Sequence, residues 1–100
     1  MDLHLVYITA KDEKEAKKIA KKMVKDDLAV CVNMHESFSI YKWEGELKEE
    51  PEYTLFAKVR GSRLQELTET VKKMHSYECP CIISLPIEGG NKDYLDWLAG

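Results

Sequence analysis

The stretch that decides the fold is Leu28-Ala29-Val30-Cys31-Val32-Asn33-Met34-His35-Glu36-Ser37-Phe38-Ser39-Ile40-Tyr41-Lys42-Trp43-Glu44-Gly45, followed by a return from Glu46 to Arg60. Leu28 to Asn33 is apolar and β-branched enough for a buried strand, and extended character resumes from Ser37 through Trp43. Glu44-Gly45 fits a tight hairpin turn, because glycine enters positive φ at no steric cost. On the return, Tyr53, Leu55, Ala57 and Val59 alternate with Thr54, Phe56, Lys58 and Arg60, the period of a strand. Pro51 has no amide hydrogen and requires a bulge or an open strand edge.

If residues 29–43 form one strand, the arm reaches roughly 50 Å at about 3.3 Å per residue. A compact domain of this length has a radius of gyration near 13 Å, hence a diameter of about 33 Å. The far end of the hairpin must then project, carrying Phe38, Ile40, Tyr41 and Trp43 away from their own core. Assembly of copies, each arm lying on a neighbour's sheet, removes that exposure. The alternative is a loop at Met34-His35-Glu36 that divides the arm into two ordinary strands.

Outward from the hairpin the pattern is regular. Residues 3–9 read as a strand buried on both faces. Asp12 with Glu15 forms a capping-box pattern, and Ala16, Ile19, Ala20, Met23 and Val24 follow as one helical apolar face. Lys17, Lys18, Lys21, Lys22 and Lys25 occupy the other face, a solvated helix back or an anion-binding surface. Ser62 with Gln65 repeats the capping pattern before Leu64, Leu67, Val71 and Met74. Residues 82–87 read as a last strand, stopped by Gly89-Gly90, and a short helical turn carries Tyr94, Trp97 and Leu98. The order β-α-β-β-α-β describes a single α+β domain over residues 1–100. It is a ferredoxin-like split β-α-β sandwich with a long second hairpin and a short C-terminal helix.

Composition narrows the function. Among 100 residues the net charge is -3 and the only arginines are Arg60 and Arg63, a poor balance for a phosphate backbone, so no nucleic-acid partner is expected. The longest apolar run, Leu28 to Val32, is far below the ~20 residues that cross a bilayer. Asp2 and His4 stand where an export signal would carry basic and apolar residues, so no membrane association or export is expected. Cys31, Cys79 and Cys81 form an odd set without a CxxC pair, which points to reduced thiols in the cytoplasm.

The densest group of reactive side chains is His75-Ser76-Tyr77-Glu78-Cys79-Pro80-Cys81. In extended backbone Cys79 and Cys81 project to one side, and two thiolates with an imidazole suit Cu(I), Cu(II) or Zn(II). Against this, buried cysteines commonly act as small hydrophobes, and His75 fits a helix C-terminal cap. Cys31 lies within an apolar strand, where packing is the ordinary role. Lys58 interrupts an apolar strand and either faces solvent or reaches a carboxylate across an interface. Tyr41, Trp43 and Trp97 fit ligand stacking or packing. The chain has no Gly-rich phosphate loop, GxSxG elbow or HExxH motif, so neither an organic cofactor nor an enzyme activity is expected. An acylphosphatase-like site would need an arginine where Ala10-Lys11-Asp12 stands.

Four segments resemble the CutA family of divalent-cation tolerance proteins. They are Leu28-Ala29-Val30-Cys31-Val32-Asn33, Ser39-Ile40-Tyr41-Lys42-Trp43-Glu44-Gly45, His75-Ser76-Tyr77-Glu78-Cys79-Pro80 and Tyr94-Leu95-Asp96-Trp97. Order and spacing match that family's LAACVN, SxYxWxG, HPYExP and YLxW signatures. The resemblance implies a cytoplasmic ferredoxin-like homotrimer linked to tolerance of copper and other divalent ions. It implies clefts between subunits that include Tyr41, Trp43, Lys58, His75, Tyr77 and Glu78, with His75 tied to metal. This chain departs from the pattern at Ile8, where some members carry cysteine, and at Ser76, Val59 and Cys81. Metal ligands are therefore expected among His75, Glu78, Cys79 and Cys81. The alternative is a trimeric small-molecule sensor or scaffold whose clefts take an anionic metabolite through Lys58 and the aromatic side chains.

Overall fold

The computed structural model describes residues Met1–Gly100. Along the chain run β1 (Leu3–Ala10), α1 (Glu13–Lys25), β2 (Cys31–Trp43), β3 (Glu46–Arg60), α2 (Leu64–Met74), β4 (Ile82–Pro86) and α3 (Lys92–Ala99). One antiparallel sheet has the order β2-β3-β1-β4, so the two halves interleave as the split β-α-β reading expects.

Local chemistry accounts for the first helix. Asp12 accepts the Glu15 amide at 2.8 Å, while Glu15 Oε1 reaches back to the Lys11 amide at 3.1 Å. Asp27, at φ 55°, then turns the chain out of α1. Leu28 and Ala29 are buried as expected, but β2 starts only at Cys31. The second capping pattern is not realised. A 3-10 turn at Gly61–Arg63 precedes α2 and no side chain caps it. Arg63 Nε instead donates to the Asp27 carbonyl at 3.2 Å, so tertiary packing sets this helix entry. The last strand ends at Pro86 rather than residue 87.

The hairpin is continuous. Pairing runs without a break from Cys31↔Lys58 to Trp43↔Glu46, and Met34, His35 and Glu36 face Leu55, Thr54 and Tyr53. The dividing loop is therefore absent, because β3 offers these three residues a complete ladder. Pro51 sits opposite Phe38 in regular register, so no bulge forms. Its other edge is open, since β1 stops pairing with β3 at Ala10↔Tyr53. Glu44 at φ 51° and Gly45 at φ 79° make the two-residue turn that matches strand twist. The result is a body of 45 × 25 × 20 Å whose long dimension carries the arm.

Register sorts the side chains. Val6, Ile8, Leu55, Ala57 and Val59 face the helices and form one buried cluster with Ile19, Met23, Leu67 and Val71. The opposite face is only partly covered. There Leu5, Tyr7 and Phe56 are half-buried, while Ile83 and Leu85 are exposed. β1 is thus buried on one face, not two, in the single chain. α3 covers one end of that open face, where Arg60 Nε donates to the Leu98 carbonyl at 3.1 Å. Along the arm, Phe38, Ile40 and Leu47 are each 64% exposed, which leaves its far half without an intrachain core. No helix is long and apolar enough to cross a membrane.

Candidate functional site

The loop at residues 75–81 and the arm enclose an open cleft of about 810 Å³. Ser39, Tyr41, Trp43, Glu50 and Glu52 form the arm wall, and Tyr77, Glu78, Cys79 and Cys81 form the loop wall, with Tyr7 and Thr9 from β1 between them. Alternation places this side of the arm: Ser39, Tyr41 and Trp43 are two residues apart, and their partners across the ladder are Glu50, Lys48 and Glu46.

Six of the residues anticipated from sequence meet here: Tyr41, Trp43, Tyr77, Glu78, Cys79 and Cys81. His75 and Lys58 do not line the cleft. The His75 side chain is wholly buried. Its Nε2 donates to the Thr9 carbonyl at 2.7 Å, and its Nδ1 accepts the Tyr77 amide at 3.1 Å. A carbonyl only accepts and an amide only donates, so the ring is neutral with its proton on Nε2. Both nitrogens are engaged, and His75 positions the loop against β1. Lys58 sits on the open sheet face between Leu5 and Cys31, and its ammonium donates to Asn33.

Glu52 is the centre of the cleft's polar network. It is 8% exposed, and its carboxylate accepts from the Tyr77 hydroxyl at 2.7 Å and from the Ser39 hydroxyl. Ser37 donates to the Glu52 carbonyl and accepts from Thr54 at 2.8 Å, so the arm root is stitched across both strands. Tyr41 donates to Glu50, which raises the Tyr41 phenol pKa above its ordinary value. The Tyr77 phenol is raised further, by burial first and then by its bond to Glu52. Burial also pushes the Cys81 thiol up and the Glu52 charge adds to this, against a hydrogen bond with Thr9. Behind the loop, burial raises Glu15, but hydrogen bonds from Ser76 and Lys11 bring it below its ordinary value.

The cleft therefore presents three carboxylates, two thiols and no basic side chain. That charge suits a cation. No three His, Cys, Asp or Glu side chains stand close enough to form a ready metal site. The four expected ligands are divided: Glu78, Cys79 and Cys81 share the cleft, while His75 is turned inward with its lone pair occupied. Glu50 and Glu52 escaped the sequence reading, although counting register back from Glu44-Gly45 places them opposite Ser39 and Ser37.

Comparison with known proteins agrees with this architecture. Residues 4–100 match the family model described as CutA1 divalent ion tolerance protein. The divalent-cation tolerance protein CutA of Archaeoglobus fulgidus is 41% identical over 95 residues, covering 95% of this chain and 93% of that protein. The Thermus thermophilus protein of the same name is 44% identical, covering 94% of this chain and 92% of its own. The chain spans only about half of the Arabidopsis thaliana chloroplastic CutA, at 52% of its length. The solved structure of CutA1 from Oryza sativa superposes with a TM-score of 0.93 at 40% identity, covering 98% of this chain and 91% of that one. The structure described as the periplasmic divalent cation tolerance protein CutA from Archaeoglobus fulgidus gives 0.92 at 41% identity, covering 96% and 94%. On a near-complete match of sequence and of fold, this chain belongs to the CutA1 family of divalent-ion tolerance proteins.

Proposed function

We propose that the protein serves divalent-cation tolerance as a non-enzymatic homotrimer that takes up copper- or zinc-class ions at the cleft between arm and loop. The observation that carries this reading is the cleft's charge, with Glu50, Glu52 and Glu78 beside Cys79 and Cys81 and no lysine, arginine or histidine in its walls. Carboxylates suit Cu(II) and Zn(II), and thiolates suit Cu(I) or Zn(II). Ligand exchange at an unassembled site favours weak, reversible uptake, with His75 holding the loop in place. The homotrimer is supported by Phe38, Ile40 and Leu47 on the arm and by Ile83 and Leu85 on the open sheet face. Three free cysteines support a reducing, cytoplasmic setting. The same charge disfavours the anionic-metabolite reading, since Lys58 lies outside the cleft and is bonded to Asn33.

Two measurements test the proposal. Light scattering at micromolar concentration should return the mass of three chains. Thermal melts with Cu(II) or Zn(II) should rise with metal, a ligand at 100 times its Kd adding about 2.7 kcal/mol. The rise should shrink in Glu78→Gln and in Cys79→Ser. A stable single chain overturns the trimer, and melts that respond to phosphate or carboxylate metabolites but not to metal overturn the cation site.

A further inference from the structure

We propose that Cys79 and Cys81 form a reversible dithiol–disulfide pair that exchanges with low-molecular-weight disulfides. Bridging occupies the sulfurs that would serve as thiolate ligands, so the oxidised pair and thiolate ligation of a metal exclude one another. Both thiols are free and open into the same cleft, Cys79 exposed and Cys81 half-buried. Full strand extension separates residues i and i+2 by about 6.6 Å between Cα atoms, within the upper end of the range a disulfide spans. The segment is also free to shorten that distance. It lies between α2 and β4 with no helix or strand of its own, and none of the backbone hydrogen bonds made outside helices and strands involves residues 78–81. Pro80 has no amide hydrogen to lose.

The two sulfurs have different surroundings, which sets their order of reaction. The Cys79 thiolate, facing solvent, attacks a disulfide RS–SR; the new bond is Cys79 S–SR and RS⁻ leaves. Cys81 gives its proton to solvent and its sulfur attacks the Cys79 sulfur, expelling the second RS⁻. Two protein thiols are oxidised and one small disulfide is reduced to two thiols. So small a ring is strained, and strained disulfides are the readily reduced, responsive ones. Cys31 takes no part, since it lies outside the cleft with its sulfur 3.7 Å from the Tyr94 hydroxyl.

The test is equilibration of the full chain in glutathione buffers of stepped redox ratio, acid quenching, alkylation and peptide mass mapping. Wild type should lose two hydrogen masses, with Cys79 and Cys81 protected in one cross-linked peptide and Cys31 alkylated. Added thiol should reverse the change, and Cys31→Ser should behave as wild type. Cys81→Ser should halt at a glutathione adduct on Cys79. The proposal is overturned if wild type accumulates that same adduct, if the cross-link joins two chains, or if both thiols stay reduced across the series. The wild-type measurement stands even if a variant folds poorly.

Discussion

The Tyr77 hydroxyl donates to Glu52 Oε2 at 2.7 Å, tying the loop after α2 to the root of the arm across 25 residues of chain. Tyr77 also packs its ring against His75, centroids 4.8 Å apart. One side chain thus connects the buried imidazole to the buried carboxylate. Tyr77→Phe should keep the ring contact and remove a donor from a carboxylate that is 8% exposed. Such a loss costs about 1–3 kcal/mol, to be read from urea unfolding. A change within error would show that Ser39 alone satisfies Glu52.

Acid should weaken the fold through the first turn of α1. Glu13 is held below its ordinary pKa of 4.5 by the Tyr53 hydroxyl and Lys17, and Glu15 is held below the same value by its amide donors. A carboxyl depressed in the folded state stabilises above its unfolded pKa, and that stability fades as pH falls through the folded value. Melting temperature should therefore be level from neutrality to about pH 4.5 and fall below it. Glu15→Gln should lower the neutral plateau and flatten the acid limb.

Alkali should act through the tyrosines. Tyr53 is pushed up to about 12 by its bond to Glu13, and Tyr41, Tyr77 and Tyr94 are also raised, Tyr94 chiefly by Cys31. Unfolded phenols titrate near 10, so the folded chain keeps protons that the unfolded chain releases. Stability should hold to about pH 9, where the unfolded Cys81 thiol begins to release a proton that the folded chain keeps. It should decline more steeply above about pH 10 as the phenols follow. Phenolate absorbance should rise later in the native chain than in urea, and coincident curves would refute this.

The two capping patterns make opposite predictions. Asp12 accepts the Glu15 amide, and Asp12→Ala should cost about 1 kcal/mol. Ser62 caps nothing, so Ser62→Ala should lie within about 0.5 kcal/mol of wild type. Chemical denaturation of the two variants checks both values.

At the arm tip, Gly45 holds φ 79° with nothing within 4 Å of where a Cβ would stand. Gly45→Ala should therefore incur only the backbone cost of a left-handed residue, about 1–2 kcal/mol. If the proposed homotrimer forms, the same change should also loosen the arm. Hydrogen exchange of residues 39–50 would report it, and unchanged protection would contradict it.

The Asp12 cap, the Glu44-Gly45 turn and the order of elements were legible in the chain, because each follows from patterns a few residues long. Apolar periodicity and glycine's tolerance of positive φ operate at that range. The continuity of the arm through Met34, His35 and Glu36, by contrast, stood open against a dividing loop until pairing with β3 decided it. The cleft was half legible. The 75–81 segment stood out by composition, but its partners Glu50 and Glu52 are ordinary acidic residues until register sets them opposite Ser39 and Ser37. Tertiary structure alone decided that Ser62 would not cap α2, since Arg63 engages the end of α1 instead. It also decided that His75 turns inward to Thr9 and that Lys58 bonds Asn33. The physical reason is common to these cases. A polar side chain takes whichever partners the packed backbone brings within hydrogen-bond reach, and those partners are remote in sequence.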